Sequence, residues 1–90
     1  MKEYIPKTTG EYEDDYCRCA KRHWNMNLLD DVVGMLCRGE KLEGKEDHPL
    51  SGKWKGCRDC HIKGDWVLIY KIKGHYLILR KTGSHSDVFG

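Results

Sequence analysis

Four of the chain's five histidines, His48, His61, His75 and His85, lie in its second half, with a carboxylate, Asp59, two residues before His61. Imidazole titrates near neutrality and can take a proton in one step and return it in the next. Several imidazoles beside the cations Lys53, Lys55, Arg80 and Lys81 are the set that cleavage of a phosphodiester without metal requires. One group removes the 2′-OH proton, another protonates the departing 5′-oxygen, and a cation offsets charge on the non-bridging oxygens. His48 precedes the Asp59 segment in a loop and His85 follows the last apolar run in "TGSH", so the fold must gather separated segments. Histidines are also ordinary surface residues, and composition alone favours that plainer reading.

A different chemistry is suggested by "GCRDCH", residues 56–61. C-x-x-C-H is the spacing that attaches a c-type haem, and its first half is a common zinc or redox signature. If 54–63 is a strand, alternation puts Cys57, Asp59 and His61 on one face and Arg58, Cys60 and Ile62 on the other. The two thiols then point apart and cannot share an ion or a porphyrin. Cys17 and Cys19, two apart on a helix, also face different sides, and Cys37 ends the next helix. The cysteines are therefore expected to be small, reduced, semi-buried residues, with no metal or cofactor.

The elements that must position these groups follow from the apolar pattern. "KEYIPKTT" reads as a strand that Pro6 confines to an edge. Thr8 with Glu11 is a capping box, and Tyr12, Tyr16, Cys19, Ala20 and His23 recur at helical spacing, giving a helix over 10–23. Asn27 is placed to cap a second helix carrying Leu28, Val32, Met35 and Leu36, closed by Gly39. The polar loop 40–52 follows, then strands over 54–63, 66–73 and 75–82 separated by "GD" and "KG" turns. "WVLIYKI" is apolar on both faces and should be central. The order β-α-α-β-β-β predicts an α+β domain over 1–90, with both helices on one face of a mostly antiparallel four-stranded sheet.

Ninety residues with 33% charged and 39% hydrophobic side chains fit a small soluble domain. The longest apolar run, 66–70, is far short of the roughly 20 residues a membrane helix needs. The polar start, "MKEYIPKTTGEYEDDY", has no apolar segment of a signal peptide, so a cytoplasmic location without membrane attachment is expected. Residues 1–47 hold 8 Lys/Arg against 11 Asp/Glu, whereas 48–90 hold 8 against 3. The histidine-rich half is thus the basic half, as a polyanion partner would require.

Residues 47–72, "DHPLSGKWKGCRDCHIKGDWVLIYKI", and 77–89, "LILRKTGSHSDVF", resemble the YafQ branch of the RelE-type toxins of the RelE/ParE superfamily, the toxin halves of bacterial type II toxin–antitoxin pairs. The family pattern runs roughly D-H-x-L-x-G-x-W-x-G-x-R-D/E-x-H-I/V-x-P-D-W-x-L-I-Y-K and closes with R-T-G-T/S-H-x-x-L-F. The resemblance implies a RelE-like fold and an endoribonuclease that cleaves mRNA in the ribosomal A site, leaving a 2′,3′-cyclic phosphate. It implies a cognate antitoxin as partner. It also implies acid/base roles at His48, Asp59, His61 and His85, and a phosphate role at Lys81. Asp65 and Trp66 match the residues that shape the site, and Phe89 matches the aromatic that contacts a base. Lys53, Lys55, Arg58 and Arg80 are the further cations expected to meet RNA or ribosome.

Two departures stand out. Lys81 replaces the usual arginine, a point charge in place of a two-pronged clamp, so reduced activity is expected. Arg80 is one residue away, but strand neighbours face opposite ways, so it should not substitute directly. Gly64 stands where proline is usual, which should loosen the turn. Which imidazole is base and which acid stays open, with His48 or Asp59 near the 2′-OH and His85 as acid the preferred assignment. An inert relative of the same fold, acting only by binding a partner or gyrase, is the alternative. His75 is expected to be surface, and His23, Trp24 and the helix tyrosines to be core or antitoxin contacts.

Overall fold

The computed structural model describes residues 3–40 and 47–90; the 41–46 part of the polar loop and the first two residues lie outside the described residues. In chain order the elements are β1 (Ile5–Thr8), α1 (Gly10–Lys21), α2 (Met26–Cys37), β2 (His48–Pro49), a 3₁₀ turn (Gly52–Trp54), β3 (Arg58–Lys63), β4 (Trp66–Lys73), β5 (Tyr76–Ser84) and α3 (His85–Phe89). The strands form one sheet in the order β1-β5-β4-β3-β2. All pairings are antiparallel except β1 with β5. The expected α+β layout holds, with two corrections: two-residue β2 makes the sheet five-stranded, and α3 extends the expected order.

Local chemistry sets the helix ends. Thr9, rather than Thr8, caps α1 by accepting the Tyr12 N–H at 3.2 Å. The helix stops at Lys21, short of the expected His23, because His23 takes a left-handed φ of 64°. Asn25, rather than Asn27, caps α2. The far end of α2 closes in a Schellman motif, the Gly39 N–H donating to Leu36 O and the Glu40 N–H to Met35 O. Pro6 sits in the edge strand β1, where its missing N–H costs no ladder bond.

Helices α1 and α2 cover one face of the sheet over a core that includes Tyr12, Leu29, Val32, Leu36, Cys60, Ile62, Trp66, Leu68, Tyr70, Leu77 and Leu79. Burying each of its Val, Leu and Ile side chains contributes roughly 1.5–3 kcal/mol, and this cluster is the larger of the two. Trp24 packs at a tilt against Trp66, and Tyr16 donates to Asp30. On the opposite face Cys57, Val67, Ile69 and Val88 form a second, smaller cluster, lidded by Leu50, Trp54 and Phe89. Cys57 and Cys60 therefore face opposite layers, as strand alternation requires. β4 is buried along its first five residues and central in the sheet, as its two-sided apolar run predicts.

Candidate active site

The second face holds the chemistry. Its centre is Asp59, 3% exposed on β3 above the small apolar cluster. β2 is only two residues long, yet it pairs His48 directly opposite Asp59, and His48 Nε2 lies 2.9 Å from Asp59 Oδ1. Burial pushes the Asp59 carboxyl above its ordinary range, while His48, His61 and His85 each pull it back down. Asp59 thus feels three imidazoles delivered by three segments.

The register explains how they converge. The row His48–Asp59–Ile69–Lys81 crosses the sheet, and the row His61–Val67–Gly83 lies two residues along. With strands about 4.8 Å apart and about 6.7 Å per two residues, these backbones occupy one small patch. The Trp66–Ser84 pairing places His85 next to the β3–β4 turn, where its N–H donates to Asp65 O at 2.8 Å. Ser84 and Asp87 then form a capping box that starts α3. One turn later Phe89 packs against His85 in a tilted contact, ring centroids 4.8 Å apart. Arg22 at the end of α1 holds Asp87 from the other side at 2.6 Å.

Beside this patch is a cleft of about 280 Å³ lined by Glu11, Lys53, Trp54, Arg80, Lys81 and Val88. Lys81 Nζ lies 3.6 Å from Asp15 Oδ2 and 3.7 Å from Glu11 Oε2. The expectation that Arg80 faces away is overturned by a bulge. Ile69 pairs with Lys81 but Tyr70 pairs with Leu79, leaving Arg80 as the extra residue. Its guanidinium consequently lies over the Trp54 ring, 5.7 Å from the centroid, and 4.0 Å from Cys57 Sγ, on the face of Asp59.

Other expected site residues are placed differently. Arg58 faces the helix layer, donating to Asp47, which also accepts from the Tyr70 hydroxyl at 2.6 Å. Trp66 is buried in the helix-side core, its indole N–H donating to Thr82 Oγ1. It therefore shapes the site from beneath. Asp65 supports His85 through its carbonyl, Lys55 is exposed, and His75 is exposed at the far end of β5. Sequence reasoning missed Arg22, Asp87, Asp15 and the cation-holding role of Trp54. Only Asp87 had a local signal, the S-x-x-D spacing from Ser84. Among the described residues no group of three or more His, Cys, Asp or Glu side chains could hold a metal ion.

The family model described as "Bacterial toxin of type II toxin-antitoxin system, YafQ" matches residues 4–90. The chain belongs to the YafQ toxin family. Among curated relatives it is similar to the mRNA interferase toxin YafQ of Escherichia coli strain K12, 40% identical over 84 residues and 91% of each chain. Among solved structures it is similar to the E. coli DinJ–YafQ toxin–antitoxin complex, with 37% identity, a TM-score of 0.88, and 98% of this chain and 99% of that one covered. It is equally similar to a metal-bound toxin from Helicobacter pylori, with 37% identity, a TM-score of 0.88, and 96% and 99% covered.

Proposed function

We propose that the chain is an endoribonuclease that cleaves mRNA held in the ribosomal A site and is neutralised by a cognate antitoxin. The observation that carries this reading is the buried Asp59 carboxylate within the electrostatic reach of three imidazoles, His48, His61 and His85. His48, oriented by Asp59, takes the 2′-OH proton. The 2′-oxygen bonds to phosphorus as the P–O5′ bond breaks, and His85 gives its proton to the departing O5′. The products are a 2′,3′-cyclic phosphate and a 5′-hydroxyl. His61 faces the phosphate, Lys53 and Lys55 the surrounding RNA, and Phe89 stacks on a base.

Family membership supports the same activity, because relatives of this length carry the name mRNA interferase. The reaction needs no metal, and the work is done in the cytoplasm, where ribosomes are. No helix among the described residues is long and apolar enough to cross a membrane.

The test is translation of a defined message in a reconstituted system, with cleavage mapped by primer extension. Wild type cuts within codons at the A site, and His48→Ala and His85→Ala each lose about 10²–10⁴-fold. Metal analysis of the active protein finds no stoichiometric zinc, copper or iron. A message left intact by wild-type protein ends the reading. Growth arrest that survives both substitutions points instead to an inert binder.

A further inference from the structure

Three cations, Lys53, Arg80 and Lys81, line the cleft, and Lys81 is already engaged. Lys81 stands between Asp15 and Glu11, while Arg18 Nη2 donates to Asp15 from the other side at 2.7 Å. Two cations and two carboxylates in one cluster leave little net field in the cleft. For Lys81 to reach a ligand its ammonium must leave both partners. Arg80, by contrast, has no carboxylate in ion-pair range among the described residues.

The bulge and Trp54 define where the guanidinium goes. The register shift between Ile69 and Tyr70 turns Arg80 onto the Asp59 face. There the Trp54 ring carries two cations, Arg80 with its centroid distance of 5.7 Å and Lys53 Nζ at 5.5 Å. An aromatic face orients a guanidinium without consuming its N–H donors, and the one donor contact, Nη1 to Cys57 Sγ at 4.0 Å, is long enough to yield, so the fork can turn to two oxygens of one phosphate. The cleft of about 280 Å³ compares with about 30 Å³ for one water, room for a phosphate group with its first waters. Ile69, the cross-strand neighbour of both Asp59 and Lys81, separates this cleft from the acid/base centre by one side chain.

We infer that Arg80, presented by the β5 bulge and held by Trp54, grips the scissile phosphate of the RNA in the bidentate manner that Lys81 cannot. This deepens the nuclease reading and rests on it. The departure at Lys81 is then answered one residue earlier in the chain, with Lys81 acting as the counter-ion that holds α1 against the cleft.

The experiment is single-turnover cleavage of ribosome-bound message with wild type, Arg80→Ala, Arg80→Lys, Lys81→Ala and His85→Ala. Messages carry either an ordinary phosphate or one with sulfur in place of a non-bridging oxygen at the cut site. Arg80→Ala slows cleavage about 10–10²-fold, and Lys81→Ala slows it less. Arg80→Lys, which keeps charge and fold, recovers only part of the loss. The sulfur effect seen with wild type disappears in Arg80→Ala. Wild-type cleavage by Arg80→Ala, a loss no greater than that of Lys81→Ala, or a sulfur effect retained in Arg80→Ala overturns the inference while leaving the nuclease reading intact. Failure of wild type itself to cut overturns both.

Discussion

Arg22 Nη1 lies 2.6 Å from Asp87 Oδ2, joining the end of the first helix to the short helix that carries His85 and Phe89. Asp87 also accepts the Ser84 N–H at 2.9 Å, so one carboxylate fixes both the cap and the placement of the helix. Arg22→Ala should lower cleavage about tenfold through misplacement of His85, with Arg22→Lys restoring most of it. Arg22, then the Ser84 N–H, holds the Asp87 carboxyl well below the usual carboxylate range. A depressed acid stabilises the fold above its unfolded pKa and loses that contribution as pH falls. The melting gap between wild type and Asp87→Asn should be full at neutral pH and close as pH drops from about 4.

Asp59 predicts the opposite sign. Burial raises its carboxyl, so the folded state favours the proton and holding the charge costs stability at neutral pH. Asp59→Asn should therefore melt higher than wild type at pH 7 and lose that gain below about pH 4, where both states carry the proton. Cleavage should fall roughly 10²-fold, because His48 loses the group that orients it. A variant less stable than wild type at pH 7 contradicts this account.

Trp66 and Thr82 give a structural test. The Trp66 indole donates to Thr82 Oγ1, and Thr82 Oγ1 donates to Val67 O, both at 2.9 Å in the interior. Thr82→Val orphans both partners and should cost about 1–3 kcal/mol, a fall in Tm of about 4–8 °C per kcal/mol in a domain this small. Adding Trp66→Phe removes the orphaned donor, so the double variant should lose less than the two single losses together. Denaturant titration of the four proteins reads this coupling.

Gly64 stands where the family pattern has proline. It holds φ 58° as the first of two residues in the β3–β4 turn, between paired Lys63 and Trp66. Proline is locked near −65° and cannot take this conformation. Gly64→Pro should destabilise the protein by about 1 kcal/mol or more, and it should lower activity by shifting the Asp65 carbonyl that holds His85. Parallel melting and cleavage assays would reveal a stabilising or neutral proline, which would refute the turn geometry.

What could be read in advance was whatever depends on one segment alone. β4 was legible over 66–73 because its run is apolar on both faces, and the shared face of Asp59 and His61 follows from alternation. Ends were off by a residue or two where near-equivalent caps compete, Thr8 with Thr9 and Asn25 with Asn27. Relationships between segments were hidden. Two-residue β2 has no propensity signal of its own; only its partner makes His48 a strand residue opposite Asp59. The bulge at Arg80 arises from register against β4, so alternation counted along β5 alone put the guanidinium on the wrong face. Arg58 shows the converse: its face was legible, but its engagement by Asp47 was not.

The sheet order has a consequence for timing. β5 lies between β1 and the β3–β4 hairpin, so Lys81 and His85 gain their neighbours only when segments far apart in the chain have met. The candidate site is therefore assembled by the same closure that completes the sheet, and a chain that has not closed it carries the side chains without the arrangement.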